Sequence, residues 1–144
     1  MDIQIATLCD FAADYQGKLC IQGTFDSLYS RQLPVQHPSC ALALRICFTE
    51  ADAGSHKLSI NLVDEDGKSL DDERMPIDAD FQVQLPDGEP FLTRNLILNL
   101  QGLVFKTEGS YSVDISIDDE LYSRIPLRIV KVNQPEGQPS PAAN

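Results

Sequence analysis

Along most of the chain, apolar residues recur at every second position. In residues 40–48, Cys40, Leu42, Leu44, Ile46 and Phe48 share one parity, while Ala41, Ala43, Arg45 and Cys47 take the other. Residues 57–64 set Leu58, Ile60 and Leu62 against Lys57, Ser59 and Asn61. Residues 94–101 set Leu96, Leu98 and Leu100 against Asn95, Asn99 and Gln101, with Ile97 among the polar set. Residues 111–118 alternate Tyr111, Val113, Ile115 and Ile117 with Ser112, Asp114, Ser116 and Asp118. Successive side chains of a strand point to opposite faces, so this pattern predicts antiparallel strands with one buried and one wet side. Shorter or weaker strands are expected over residues 3–9, 18–25, 81–85 and 122–132. Pro126 has no amide donor and marks the last of these as an edge strand or a bulge.

Turn signals separate nearly every pair of these segments. Asp66-Gly67 follows Asp64 as a hairpin turn, and Ile117-Asp118-Asp119-Glu120 reads as a tight reversal between the last two strands. No stretch of ten residues keeps a helical period, and residues 10–16 offer a single helical turn at most. Residues 69–90 hold Pro76, Pro86 and Pro90 and read, apart from 81–85, as a long surface excursion. The expected fold is an all-β antiparallel sandwich of about eight to nine strands. Residues 1–132 form its single domain. Residues 133–144, with three prolines and no large apolar side chain, read as a flexible tail.

Charge narrows the partners. The 144 residues carry 11 Lys and Arg against 22 Asp and Glu, a net charge of -11. Binding to nucleic acid or to an anionic membrane surface needs clustered cations, and here only Arg124, Arg128 and Lys131 come close together in sequence. Neither partner is expected. The amino-terminal residues show no basic, apolar export signal, and no apolar run approaches the roughly 20 residues of a spanning helix. The protein is therefore expected in the cytoplasm, with Cys9, Cys20, Cys40 and Cys47 as thiols at spacings that fit no zinc ribbon or redox motif.

Two resemblances add to this. The run Glu108-Gly109-Ser110-Tyr111-Ser112-Val113 resembles the tyrosine corner of immunoglobulin-like sandwiches, in which a Tyr hydroxyl bonds back to the backbone a few residues upstream. Val113 stands where antibody-type domains have Cys, and no Trp is present, so the likeness is to the disulfide-free end of that class; a jelly-roll or C2-like sandwich is the alternative. The chain as a whole resembles a family of small uncharacterised bacterial proteins. The likeness is carried by Ile5-Ala6-Thr7-Leu8-Cys9-Asp10, Gly17-Lys18-Leu19-Cys20-Ile21, Gly23 with Phe25-Asp26, His37-Pro38, Ala43-Leu44-Arg45-Ile46, Asp64 with Asp66-Gly67, the run Asn95-Leu96-Ile97-Leu98-Asn99-Leu100-Gln101-Gly102, and the Gly109/Tyr111 corner. That resemblance implies a bacterial cytosolic protein and lends no activity or cofactor.

The chemistry in the sequence is sparse. Ten of the acidic residues fall between Asp64 and Glu89. An EF-hand frame aligned on Gly67 fails, because Leu62 stands at the first ligand position. A looser calcium site from Asp64, Asp66, Asp118 and Asp119 requires both loops at one end of the sandwich. A thiol nucleophile requires an imidazole beside a cysteine of lowered pKa, and His37, in a Pro-flanked loop over residues 33–39, precedes Cys40 by three residues. No serine lies in a G-x-S-x-G elbow, and no glycine-rich phosphate loop exists. Arg45, Asn95, Asn99 and Gln101 form a nearly neutral polar band on the wet side of two long strands, suited to contact with a second copy or another protein. The expected function is a non-catalytic, self-associating or protein-binding module. A divalent-cation-dependent binding domain is the alternative, and a cysteine-dependent enzyme the third reading.

Overall fold

A computed structural model describes residues 1–133. They form nine strands: β1 (Asp2–Tyr15), β2 (Lys18–Phe25), β3 (Ser27–Ser30), β4 (Val35–Phe48), β5 (Gly54–Asp64), β6 (Ile77–Val83), β7 (Leu92–Phe105), β8 (Gly109–Ile117) and β9 (Glu120–Lys131). One turn of 3-10 helix, Glu50–Asp52, links β4 to β5. The first sheet has the order β2-β1-β4-β7, the second β3-β9-β8-β5-β6. All pairings are antiparallel except β3 with β9. The predicted tail lies outside the described residues beyond Asn133.

The alternation in the sequence sets the core. Leu42, Leu44, Ile46 and Phe48 of β4 face Leu58, Ile60 and Leu62 of β5 and Val113, Ile115 and Ile117 of β8, and all are buried in one cluster. A buried aliphatic side chain contributes roughly 1.5–3 kcal/mol, so this apolar layer dominates the stability of the fold. A two-residue reversal joins β8 to β9 as expected, whereas Asp66-Gly67 opens a longer excursion from Asp64 to Ile77. Asp118 and Asp119 both take positive φ, 53° and 65°, in the turn between paired Ile117 and Glu120, and such a turn matches the twist of a hairpin.

The first sheet departs from a plain sandwich layer, because it curls into a half-barrel. Residues 10–16, expected as a helical turn, instead continue β1 to Tyr15, and the turn falls at Gln16-Gly17. The hairpin of β1 and β2 bends at Gly23, which has φ 71° and lies so close to Asp10 that a Cβ there would meet its carboxylate at 2.5 Å. Beyond the bend the hairpin folds over the face of the sheet turned away from the main core. There Cys9, Ala12, Ala41 and Ala43 form a second buried cluster, with Leu19, Ile21 and Ile97 packed on it. Small residues on that face of β4 are what let the hairpin come close.

A comparable break affects β4 and β7. Leu96, Leu98 and Leu100 point inward, then the inward parity changes to Leu103 and Phe105. On β4 the same change separates inward Cys40 from buried His37. The break lies at Pro38, which cannot donate, and Gly102, which takes φ 62°. His37 is thus in a strand, not a loop, and its ring lies 5.7 Å from that of Phe25. Pro126 sits on β9 short of Arg128, where pairing with β3 begins, so its missing donor falls on an uncovered stretch of edge.

Tyr111 is buried against Phe105, and its hydroxyl donates to the Thr107 carbonyl at 2.7 Å. This bond fixes the turn from β7 into β8. Tyr111→Phe should lower unfolding free energy by about 1 kcal/mol, the worth of one partly buried hydrogen bond, as read by chemical denaturation; an unchanged midpoint would deny the bond that role.

Candidate interaction edge and polar clusters

The four acidic candidates do not converge. Asp118 lies beside Lys57, whose amide donates to its carboxylate at 3.0 Å, whereas Asp64 ends the same strand seven residues later. At a strand rise of ~3.3 Å the two loops are roughly 23 Å apart, at opposite ends of β5. One site built from Asp64, Asp66, Asp118 and Asp119 is therefore excluded. Asp64 spends its Oδ1 on the amides of Asp66 and Lys68, and so shapes the turn that Gly67 completes at φ 81°. Among the described residues no three His, Cys, Asp or Glu side chains gather in a way that suits a metal ion.

Asp118 has a different partner. His56 directs Nδ1 at Asp118 Oδ2 and Nε2 at the Asp52 carbonyl, each at 2.6 Å, and stacks on Phe81 with ring centroids 5.4 Å apart. Both facing oxygens can only accept, so both ring nitrogens donate and the imidazolium is the form the site holds. The Asp118 hydrogen bond accordingly raises the His56 pKa, and the same bond lowers that of Asp118. A ring with both nitrogens engaged has none left to take a proton from a nucleophile. It ties the β8–β9 turn to the 3-10 turn and to β6.

Cys40, the candidate nucleophile of the sequence, lies buried in the core beside Leu42 and Leu100. Burial pushes the Cys40 thiol up to about 11, and burial also raises that of Cys9, whose Sγ lies 3.6 Å from the Ala41 carbonyl. A catalytic thiol needs the opposite shift. Cys20 is exposed, and all four cysteines are free.

The polar band is split by the structure. Arg45 Nη1 donates to Asn95 Oδ1 at 2.8 Å and to the Gly17 carbonyl at 3.3 Å, and Asn95 Nδ2 donates to Asp14 Oδ2 at 2.9 Å. The Asn95 bond is the chief reason that the Asp14 carboxyl is held below its ordinary pKa. Arg45 and Asn95 thus form a clamp inside one molecule, gripping the tip of the β1–β2 hairpin. Asn99 and Gln101 remain exposed on the same strand.

That strand, β7, is the edge of its sheet for all 14 of its residues. Arg74, from the loop before β6, donates to the Gln101 carbonyl at 2.6 Å and to the Gly102 carbonyl at 3.4 Å. The Gln101 carbonyl therefore points away from β4. In an antiparallel ladder, outward-pointing backbone groups recur at every second residue, so those of Thr93, Asn95, Ile97 and Asn99 point the same way. Beside them, between β7 and β6, the edges of the two sheets leave an apolar groove of about 130 Å³, lined by Leu44, Leu58, Ile77, Ala79, Leu96 and Leu98 among others. Sequence reasoning found the alternation of β7 but not its edge position, which depends on sheet order. The absence of any acidic residue between Glu89 and Glu108 was the available signal.

Residues 4–130 match the model of a family of unknown function (DUF6941). Comparison with curated proteins finds no match. No helix among the described residues is long and apolar enough to cross a membrane.

Two measurements check this geometry. His56→Gln should destabilise the fold most below about pH 6.5, the ordinary imidazole value, and down to the acid range where Asp118 takes up a proton. The gap to wild type should close as pH rises through the raised His56 pKa, because the wild type then loses the imidazolium that the variant lacks at every pH; a gap independent of pH would refute the charge-based bond. Under native conditions a thiol reagent should modify Cys20 first and leave Cys40 untouched until denaturant is added; early labelling of Cys40 would contradict its burial.

Proposed function

The chain belongs to this family of unknown function, and we propose that it serves as a non-catalytic interaction module that takes an extended segment of another protein, or of itself, onto the free edge of β7. The single observation behind the reading is the pairing of a long, acid-free edge, unpaired among the described residues, with an apolar groove at its side. An extended segment added there finds backbone donors and acceptors along the edge, and its alternate side chains cover Leu96 and Leu98. The fully engaged His56 ring and the raised Cys9 and Cys40 thiols support the absence of thiol chemistry from this proposal. Four free cysteines support a reducing compartment such as the cytosol as the place of work. The bond from Tyr111 to Thr107, in a fold without a disulfide, supports an immunoglobulin-like assignment for the two sheets.

Asn99→Pro tests the edge. Asn99 is exposed and its amide points outward, so proline there removes a donor from the free edge without taking one from the β4 ladder. Cross-linking and native mass measurement should show association of the wild-type chain that this variant loses, with an unchanged circular dichroism spectrum. Association that survives Asn99→Pro, or a wild type that associates with nothing, overturns the proposal.

A further inference from the structure

We infer that the segment received by β7 is the β7 of a second copy of this chain, paired antiparallel about a twofold axis at Ile97. The inference rests on the edge reading above and names its occupant. The centre of the strand reads Asn95-Leu96-Ile97-Leu98-Asn99, the same in both directions. Antiparallel pairing about Ile97 sets Asn95 opposite Asn99 of the copy, Leu96 opposite Leu98 and Ile97 opposite Ile97. Like side chains then share each face along the whole contact, as a self-complementary interface requires.

Backbone geometry is compatible with this register. The outward groups belong to Asn95, Ile97 and Asn99, and this pairing matches outward residues only with outward residues, so each pair exchanges two hydrogen bonds. The next pair, Thr93 with Gln101, meets the carbonyl that Arg74 already holds, and the contact ends there.

Charge permits it as well. Two chains of net charge -11 repel over most of their surfaces. The stretch between Glu89 and Glu108 holds no acid and carries Arg94 and Lys106, so the approach is least opposed along this line. The neighbouring edge, β6, places Asp78 and Asp80 along its length and offers no such approach.

Sedimentation with residue-resolved hydrogen exchange on the full chain tests the inference. The mass should rise with concentration from 15.9 kDa toward twice that value. The amides of Asn95, Ile97 and Asn99 should exchange more slowly as concentration rises, whereas those of Leu96 and Leu98, already bonded to β4, should not change. Asn99→Pro should hold the mass at one chain. The wild-type exchange pattern carries the test alone should that variant fold poorly. A strictly monomeric wild type, or a dimer whose new protection lies on another strand, overturns the inference. A monomer that takes a foreign protein segment on β7, and loses it with Asn99→Pro, overturns the twofold while leaving the edge reading standing. Absence of any association at β7 removes both.

Discussion

The first sheet carries apolar side chains on both of its faces, and only one face can be buried against the second sheet. On β4, Leu42, Leu44, Ile46 and Phe48 enter the main core, while Ala41 and Ala43 are just as buried on the far side. A flat sheet would leave that second set in water. The solution is to bend the β1–β2 hairpin at Asp10 and Gly23 and lay it over the far face, where Leu19 and Ile21 supply the cover. The polar groups that approach at its tip are matched, with Arg45 and Asn95 receiving Asp14 and the Gly17 carbonyl. Unmatched, they would oppose the closure, because a polar group withdrawn from water without a partner costs on the order of 1–3 kcal/mol. Since the hairpin is consumed as a lid, no strand among the described residues other than β4 pairs with β7.

Electrostatics follow the same division. Acid collects in the turns, where it does local work. Asp64 and Asp71 accept from backbone amides of their own loops, and Asp52 accepts from the Thr49 amide and the Met1 amino group. Exposed pairs such as Lys57 with Asp78 add little, since solvent screens them. Arg74 is the cation of the acidic loop with a defined structural task. It reaches out of that loop to β7, and its guanidinium closes the two carbonyls at the point where the strand breaks at Gly102.

Period-two alternation made the core legible because the face toward the second sheet obeys it almost without exception. What alternation could not convey was the far face. Ala41 and Ala43 read as filler on a wet side, and the clue in their small size becomes useful only once a hairpin is known to lie on them. Residues 10–16 invite a helical turn through Ala12 and Ala13, yet pairing of Phe11–Tyr15 with Lys18–Gln22 decides the matter, since tertiary pairing overrides a weak local propensity. The prolines at 34 and 38 make His37 read as a loop residue. Pro38 in fact sits at the parity break, the one place in that strand where a missing donor costs little. β3 escaped notice because four residues, SLYS, are too few to alternate visibly, and its parallel partner is a hundred residues away. Of the polar band, the residue types were legible and their division was not. Whether an Asn faces solvent or a clamp depends on the curl.

A sheet edge is dangerous in proportion to its length, flatness and lack of charge, and the four edges here differ in all three. β3 is four residues long. β6 is seven residues long and carries Asp78 and Asp80. β2 carries Lys18 and is kinked at Gly23. β7 is 14 residues long, regular from Leu92 to Gln101, and among the described residues is shielded only by Arg74 at its far end. A chain that guards three edges and leaves the longest one bare, in a sequence with acid to spare, has kept acid off that edge while placing it in the loops and strands around it. An accidental edge would have no reason to read the same in both directions across the residues whose backbone groups are free. The unguarded strand and its symmetric centre are therefore one feature, with the apolar groove beside it supplying the side-chain half of the same contact.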